Sequence, residues 1–119
     1  MAVTLELFNN ETEFKAFPAG ATVFREGDAG DSMYVILEGS VELRIGGKQV
    51  DTLGPGEVFG EMALIEKAPR IATATARGDC KLVEVPEKRF AFMVQQTPKF
   101  ALQIMRVMAD RLRRMDRRL

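Results

Sequence analysis

From Phe14 to about Val85 the chain is made of short apolar runs separated by Gly, Asp and Pro, and this punctuation leaves β-strands as the main option. The runs 22–25, 33–37, 41–45, 49–53, 72–76 and 81–85 read as strands. Gly46-Gly47 lies between two alternating runs and marks a hairpin, because both turn positions can take positive φ. Leu53-Gly54-Pro55-Gly56 marks another turn. Many short, closely spaced strands pack as a sandwich, a barrel or a jelly roll. With 119 residues, 46% of them hydrophobic, the chain has the size and content of one domain with one core. The expected organisation is a single domain over 1–119, with the β part at about 12–85 and helices over 86–119.

After Val85 the pattern changes. Pro86 opens a helix through about Gln96, Thr97 is placed to cap the next one, and Pro98 suits its first turn. No breaker follows before Leu119. Ala101, Met105, Met108, Leu112, Met115 and Leu119 are spaced 4, 3, 4, 3, 4, a heptad seam of the kind that pairs helices. Phe100, Ile104 and Val107 form a second stripe beside it. Two arrangements fit. Either both stripes make one broad face on the β part, or the second stripe packs there while the seam meets another chain as a homodimer. The seam spans under three heptads and is marginal alone. Arg111, Arg113 and Arg114 read as a solvated helix face, and Cys80 as a small core residue in a strand.

Net charge is zero, yet residues 106–119 hold six Arg and two Asp, a local +4 that leaves −4 for the rest. A dedicated nucleic-acid binder would spread a basic face over the fold, so that class is disfavoured. Histidine is absent. This removes His-based acid–base catalysis, Ser–His and Cys–His nucleophile pairs and His-ligated metals, and it places a cupin-type metalloenzyme low. No enzyme activity, metal or cofactor is expected. One cysteine permits no internal disulfide and fits a reducing compartment. Met1–Phe8 lack a basic start followed by an apolar stretch, and no apolar run approaches membrane-spanning length, so the expectation is a soluble cytoplasmic protein without a membrane partner.

Residues 59–76, FGEMALIEKAPRIATATA, concentrate the chemistry. Gly60 lets a ligand approach the backbone closely. Glu61 to Ile65 can form a helical turn whose first N–H groups suit an anion. Nine residues after Glu61 comes Arg70, whose planar guanidinium can grip two phosphate oxygens. Ala72, Ala74 and Ala76 put small side chains on one face of a strand, leaving room for a ligand as a cavity wall would. A carboxylate beside a phosphate would repel it, so Glu61 calls for a sugar hydroxyl instead, since an ionised carboxylate only accepts. Glu61 could also merely complement a helix dipole, and Arg70 could be a surface ion-pair residue.

This segment resembles the phosphate-binding cassette of the cyclic-nucleotide-binding domain family, which includes catabolite-activator-type regulators, regulatory subunits of cyclic-AMP-dependent kinase and cyclic-nucleotide-gated channels. A second stretch, VFREGDAGDSMYVILEG over 23–39, matches as well, with Gly27, Gly30 and Gly39 at the family's turn spacing. The resemblance covers nearly the whole chain. It implies a β jelly roll with a short phosphate-binding helix and two C-terminal helices, acting as a regulatory sensor in signal transduction. By the same likeness Glu61 would bind the ribose 2′-hydroxyl, and Arg70 the cyclic phosphate together with the backbone N–H groups of Met62 and Ala63. Leu43 and Val50 would line the base, and Met115 and Asp116 of the last helix are candidate lid residues.

One position departs from the pattern. After the arginine the family usually carries Ala, Ser, Thr or Gln, and here stands Ile71. A hydroxyl there favours cyclic GMP through the guanine, so Ile71 points to cyclic AMP. Its bulk would also narrow the pocket, which keeps open a degenerate domain of the same fold serving dimerisation or interaction. Full-length catabolite-activator-type regulators carry a helix-turn-helix after the long helix; none follows within these residues, and the effector is not specified by the sequence.

Overall fold

The computed structural model describes residues 13–116, with side chains through Arg114. In chain order the elements are β1 (Lys15–Phe17), β2 (Thr22–Phe24), β3 (Ser32–Glu38), β4 (Val41–Ile45), β5 (Lys48–Leu53), β6 (Val58–Phe59), α1 (Glu61–Glu66), β7 (Thr73–Ala76), β8 (Cys80–Pro86), α2 (Glu87–Gln96) and α3 (Pro98–Asp116). The strands form two four-stranded antiparallel sheets, ordered β1-β8-β3-β6 and β2-β7-β4-β5. This is the expected jelly roll, mainly β with flanking helices.

Strand β3 shows why the sheets stack as they do. Its side chains alternate faces with period two. Met33 and Val35 point into a cluster with Val58, Val83, Val85 and, from α3, Phe100, Ile104 and Val107. Tyr34 and Ile36 point into a second cluster with Leu53, Phe59, Ala74, Ala76, Cys80 and Leu82. The β1-β8-β3-β6 sheet is therefore a central layer, with the second sheet on one face and the helices on the other. A strand buried on both faces reads as a near-continuous apolar run, and Met33-Tyr34-Val35-Ile36 is one. Cys80 is buried as expected, its thiol directed at the carbonyls of Ser40 and Gly78.

Gly46 and Gly47 both take positive φ, 59° and 79°, and close the β4–β5 hairpin with Ile45 opposite Lys48. Two strands were not expected, β1 and β6. Each has three residues or fewer, too short to display an alternation, and each exists only through pairing with β8 or β3. Helix α2 begins immediately after Pro86, and the Phe100 N–H donates to the Thr97 carbonyl at the start of α3.

The two stripes of α3 part company. Phe100, Ile104 and Val107 are buried against the β part. Within the seam, Ala101 and Met108 are half-buried, whereas Met105 is 62% and Leu112 64% exposed. The single broad face is thereby corrected: Met105 and Leu112 lie too far round the helix to reach the sheet. Leu119 and the side chain of Met115 lie outside the described residues. No helix among the described residues is long and apolar enough to cross a membrane.

The single tyrosine gives a direct probe of this packing. Tyr34 donates to Glu84 at 3.1 Å, and Glu84 also holds Lys15. Burial, followed by the Glu84 charge, pushes the Tyr34 phenol up to about 12 from 10.0. Its proton is held more tightly folded than unfolded, so its stabilising contribution is complete below pH 10 and is lost as pH rises through about 12. Tyrosinate absorbance should therefore titrate near pH 12 in the folded chain and near 10 in denaturant. A folded-state midpoint near 10 would contradict the buried hydrogen bond.

Candidate functional site

The two glycine-rich stretches meet at Arg70. The Gly27 N–H donates to the Arg70 carbonyl and the Arg70 N–H to the Asp28 carbonyl, both at 2.8 Å. These reciprocal bonds fix the backbone so that the side chain turns inward. Arg70 is only 6% exposed. Its Nη1 donates to the Gly60 carbonyl at 2.8 Å and its Nη2 to the Ser32 carbonyl at 2.6 Å. No carboxylate of the described residues lies within ion-pair distance of it, and its Nε is buried without a partner. Burial pulls the guanidinium below the usual arginine value, against the upward influence of Tyr34, Asp31, Asp28 and Glu61. A buried cation lacking a direct counter-charge is costly. The surface ion-pair reading of Arg70 is excluded.

Helix α1 starts at Glu61, one residue after Gly60, which has φ 82° and offers no side-chain cap. A Cβ at Gly60 would meet Arg70 Nη1 at 2.7 Å and Phe24 Cε2 at 3.3 Å. Gly60→Ala is expected to lower stability by about 1–2 kcal/mol through the left-handed backbone alone, and to push the guanidinium aside. Urea unfolding reads this as a lower midpoint, and an unchanged midpoint would contradict the geometry.

Glu61 is 0% exposed. Its Oε1 accepts from Arg111 Nη1 of α3, and Arg111 Nη2 reaches the Val58 carbonyl. Its Oε2 is buried with no hydrogen-bond partner among the described residues. One turn further along α3, Arg114 pairs with Asp51 at 3.0 Å and with Asp110 at 2.9 Å, and lies 3.9 Å from Glu57. The solvated arginine face is therefore corrected: only Arg113 of the three is exposed, while Arg111 and Arg114 bind α3 to α1, β5 and the β5–β6 connection. Sequence reasoning missed Arg111. Its signal was present, since the buried stripe 100, 104, 107 continued at heptad spacing lands on 111 and 114.

The remaining candidates are placed as follows. Met62 is half-buried and Ala63 buried in the first turn of α1. Ala72 is buried, and the ligand room expected beside Ala74 and Ala76 is corrected: both belong to the packed interior, where their small size admits the rings of Tyr34 and Phe59. Leu43 and Val50 are half-buried on β4 and β5, with Leu43 opposite Ala74. Ile71 is 53% exposed and stands outside both core clusters. The side chains of Met115 and Asp116 lie outside the described residues. An open groove of about 340 Å³, lined by Gly30, Ala63, Lys67, Ala68, Pro69 and Glu87, includes neither Glu61 nor Arg70.

The buried, unneutralised arginine beside a glycine-started helical turn makes this part of the jelly roll a candidate anion site. The signature of the cyclic nucleotide-binding domain family matches residues 14–97, and the chain belongs to that family. It is 34% identical over 110 residues to a CRP-like cAMP-activated global transcriptional regulator of Mycobacterium tuberculosis, covering 87% of this chain and 48% of that protein. The catabolite activator protein structure of Thermus thermophilus superposes with a TM-score of 0.79 at 32% identity, over 87% of this chain and 51% of that one. The cGMP-bound form of an EAL enzyme, Bd1971, superposes with a TM-score of 0.68 at 34% identity, over 88% of this chain and 29% of that one. The chain thus spans about half the length of the curated regulator it matches.

Proposed function

We infer that this chain is a non-enzymatic sensor that binds one cyclic nucleotide, cyclic AMP ahead of cyclic GMP, and reports occupancy through α3. One observation carries the reading. Within the site the protein buries a donor and an acceptor that it does not itself satisfy, Arg70 Nε and Glu61 Oε2, and it sets no carboxylate within ion-pair distance of the Arg70 guanidinium among the described residues. Buried polar groups are otherwise almost always paired. A ligand carrying both an anionic phosphate and a free hydroxyl completes both. Arg70 and the backbone N–H groups of Met62 and Ala63 hold the cyclic phosphate, Gly60 leaves the room that the Arg70 guanidinium occupies, and Glu61 Oε2 accepts the ribose 2′-hydroxyl. Leu43, Val50, Ile71 and Ala72 border the base and sugar.

Ile71 supports cyclic AMP, because it has no polar atom to offer guanine. The Mycobacterium relative is named for cyclic AMP, while the EAL enzyme has been solved with cyclic GMP, so the distinction rests on this side chain. Helix α3 is suited to the output because Arg111 ties it to the carboxylate that receives the sugar. A ligand shifts α3 only by binding its positions unequally, and Glu61 is shared by both events. The exposed Met105 and Leu112, with Ala101 and Met108, support pairing with a second copy.

A thermal-shift titration tests the reading. Cyclic AMP at a hundredfold excess over its Kd adds about 2.7 kcal/mol of stability, so the melting temperature should rise by several degrees, and cyclic GMP at equal concentration should raise it less. No shift with either nucleotide at millimolar concentration would favour the non-binding alternative.

A further inference from the structure

We propose that Phe24 is a positioning residue for Arg70, holding the guanidinium against its ring so that it meets the ligand phosphate already aligned; this rests on the cyclic-nucleotide reading above. The guanidinium carbon lies 4.0 Å from the centroid of the Phe24 ring. Phe24 ends β2, where its register partner is Ala74 of β7, four residues after Arg70. Its ring is itself held: its centroid is 6.1 Å from that of Tyr34 and 5.8 Å from that of Phe59, and those two stack at 5.3 Å. Tyr34 is anchored in turn through its hydroxyl to Glu84.

The kind of contact matters. A guanidinium carries its N–H groups in its plane, and a carboxylate partner would take that edge and cancel the charge. An aromatic ring takes only a face. Phe24 therefore restrains a long, rotamer-rich side chain while leaving its charge whole and its Nε–H unpaired. Two carbonyls, Gly60 and Ser32, set the rotation within the plane. Neither supplies a negative charge that would compete with phosphate. The space is tight, since the Cβ missing at Gly60 would touch both Arg70 and Phe24.

The experiment compares two ligands, cyclic AMP and its neutral phosphate methyl triester, by calorimetry on the full chain. Wild type is expected to prefer the anionic ligand. Phe24→Leu should cut that preference about tenfold and leave affinity for the neutral triester unchanged, because only the charged contact depends on the aligned guanidinium. Phe24→Tyr, which keeps the ring face, should retain the wild-type preference. If Phe24→Leu does not fold, Phe24→Met is expected to behave in its place, its preserved fold verified by its melting transition. An unchanged preference in the leucine or methionine variant, or an equal loss for both ligands, overturns the positioning role while leaving the nucleotide reading intact. Wild type that binds neither ligand overturns the nucleotide reading, and the positioning role with it.

Discussion

Replacing Arg70 with alanine should lower affinity for cyclic AMP by about one to two decades, measured by calorimetry. Hydrogen bonds to a charged group contribute roughly 1.5–3 kcal/mol, and 1.4 kcal/mol is about one decade. The effect belongs at the upper end because the site is dry: Arg70 is 6% exposed and no carboxylate of the described residues pairs with it. Its charge therefore remains wholly available to a phosphate. A melting curve run alongside separates lost binding from lost fold. Equal affinities for the variant and wild type would remove Arg70 from the site.

The second large effect falls on stability. Arg111→Leu leaves the Glu61 carboxylate buried with neither oxygen paired. Removing one partner of a buried ion pair costs about 3–5 kcal/mol. The low end applies, since Arg111 keeps some solvent contact and Glu61 regains water if α3 lifts away. A loss of about 3 kcal/mol corresponds to a melting temperature lower by about 10 °C for a chain of this size. Arg113→Ala, two positions along on the exposed side, should change it little. Adding Glu61→Gln to Arg111→Leu should recover part of the loss, because the unpaired charge is then removed. Equal effects of the Arg111 and Arg113 substitutions would contradict the buried pair.

The jelly roll was legible because its strands are punctuated by turn residues and carry alternating side chains. Gly46-Gly47 alone placed the β4–β5 hairpin, and Val41–Ile45 matches the expected strand end to end. Strands β1 and β6 were illegible because two or three residues carry no period, and the equally short β2 was legible only by its strand formers Thr22, Val23 and Phe24, which the Lys-Ala-Phe of β1 lacks. The cassette was legible for a different reason. Gly60, Glu61 and Arg70 are local in sequence, so their spacing survives folding. The aromatic platform and the α3 arginines are nonlocal. Phe24 reaches Arg70 across 46 positions of sequence through β2–β7 register, and Arg111 reaches Glu61 across 50. A run of arginines on a terminal helix reads as solvated until the acids facing it are known. In this chain those acids are Glu61, Asp51 and Glu57.

The exposed half of the α3 seam follows from the same geometry. The stripe beginning at Phe100 points at Met33, Val35 and Val58, and a helix can present only one face to a sheet. Met105 and Leu112 are left outward as a consequence, not because the β part lacks apolar surface.

In the reading proposed above, the Arg70 guanidinium, free of any carboxylate partner among the described residues, and the orphaned Oε2 of Glu61 together recognise one cyclic nucleotide by its phosphate and its ribose hydroxyl. Calorimetric titration of the wild-type chain with cyclic AMP and with 2′-deoxy cyclic AMP tests it most directly. Saturable binding of one cyclic AMP per chain is expected, with the deoxy analogue weaker by about tenfold or more, because a buried charged acceptor is then left without its partner. Absence of binding, or equal affinity for the two ligands, would contradict it.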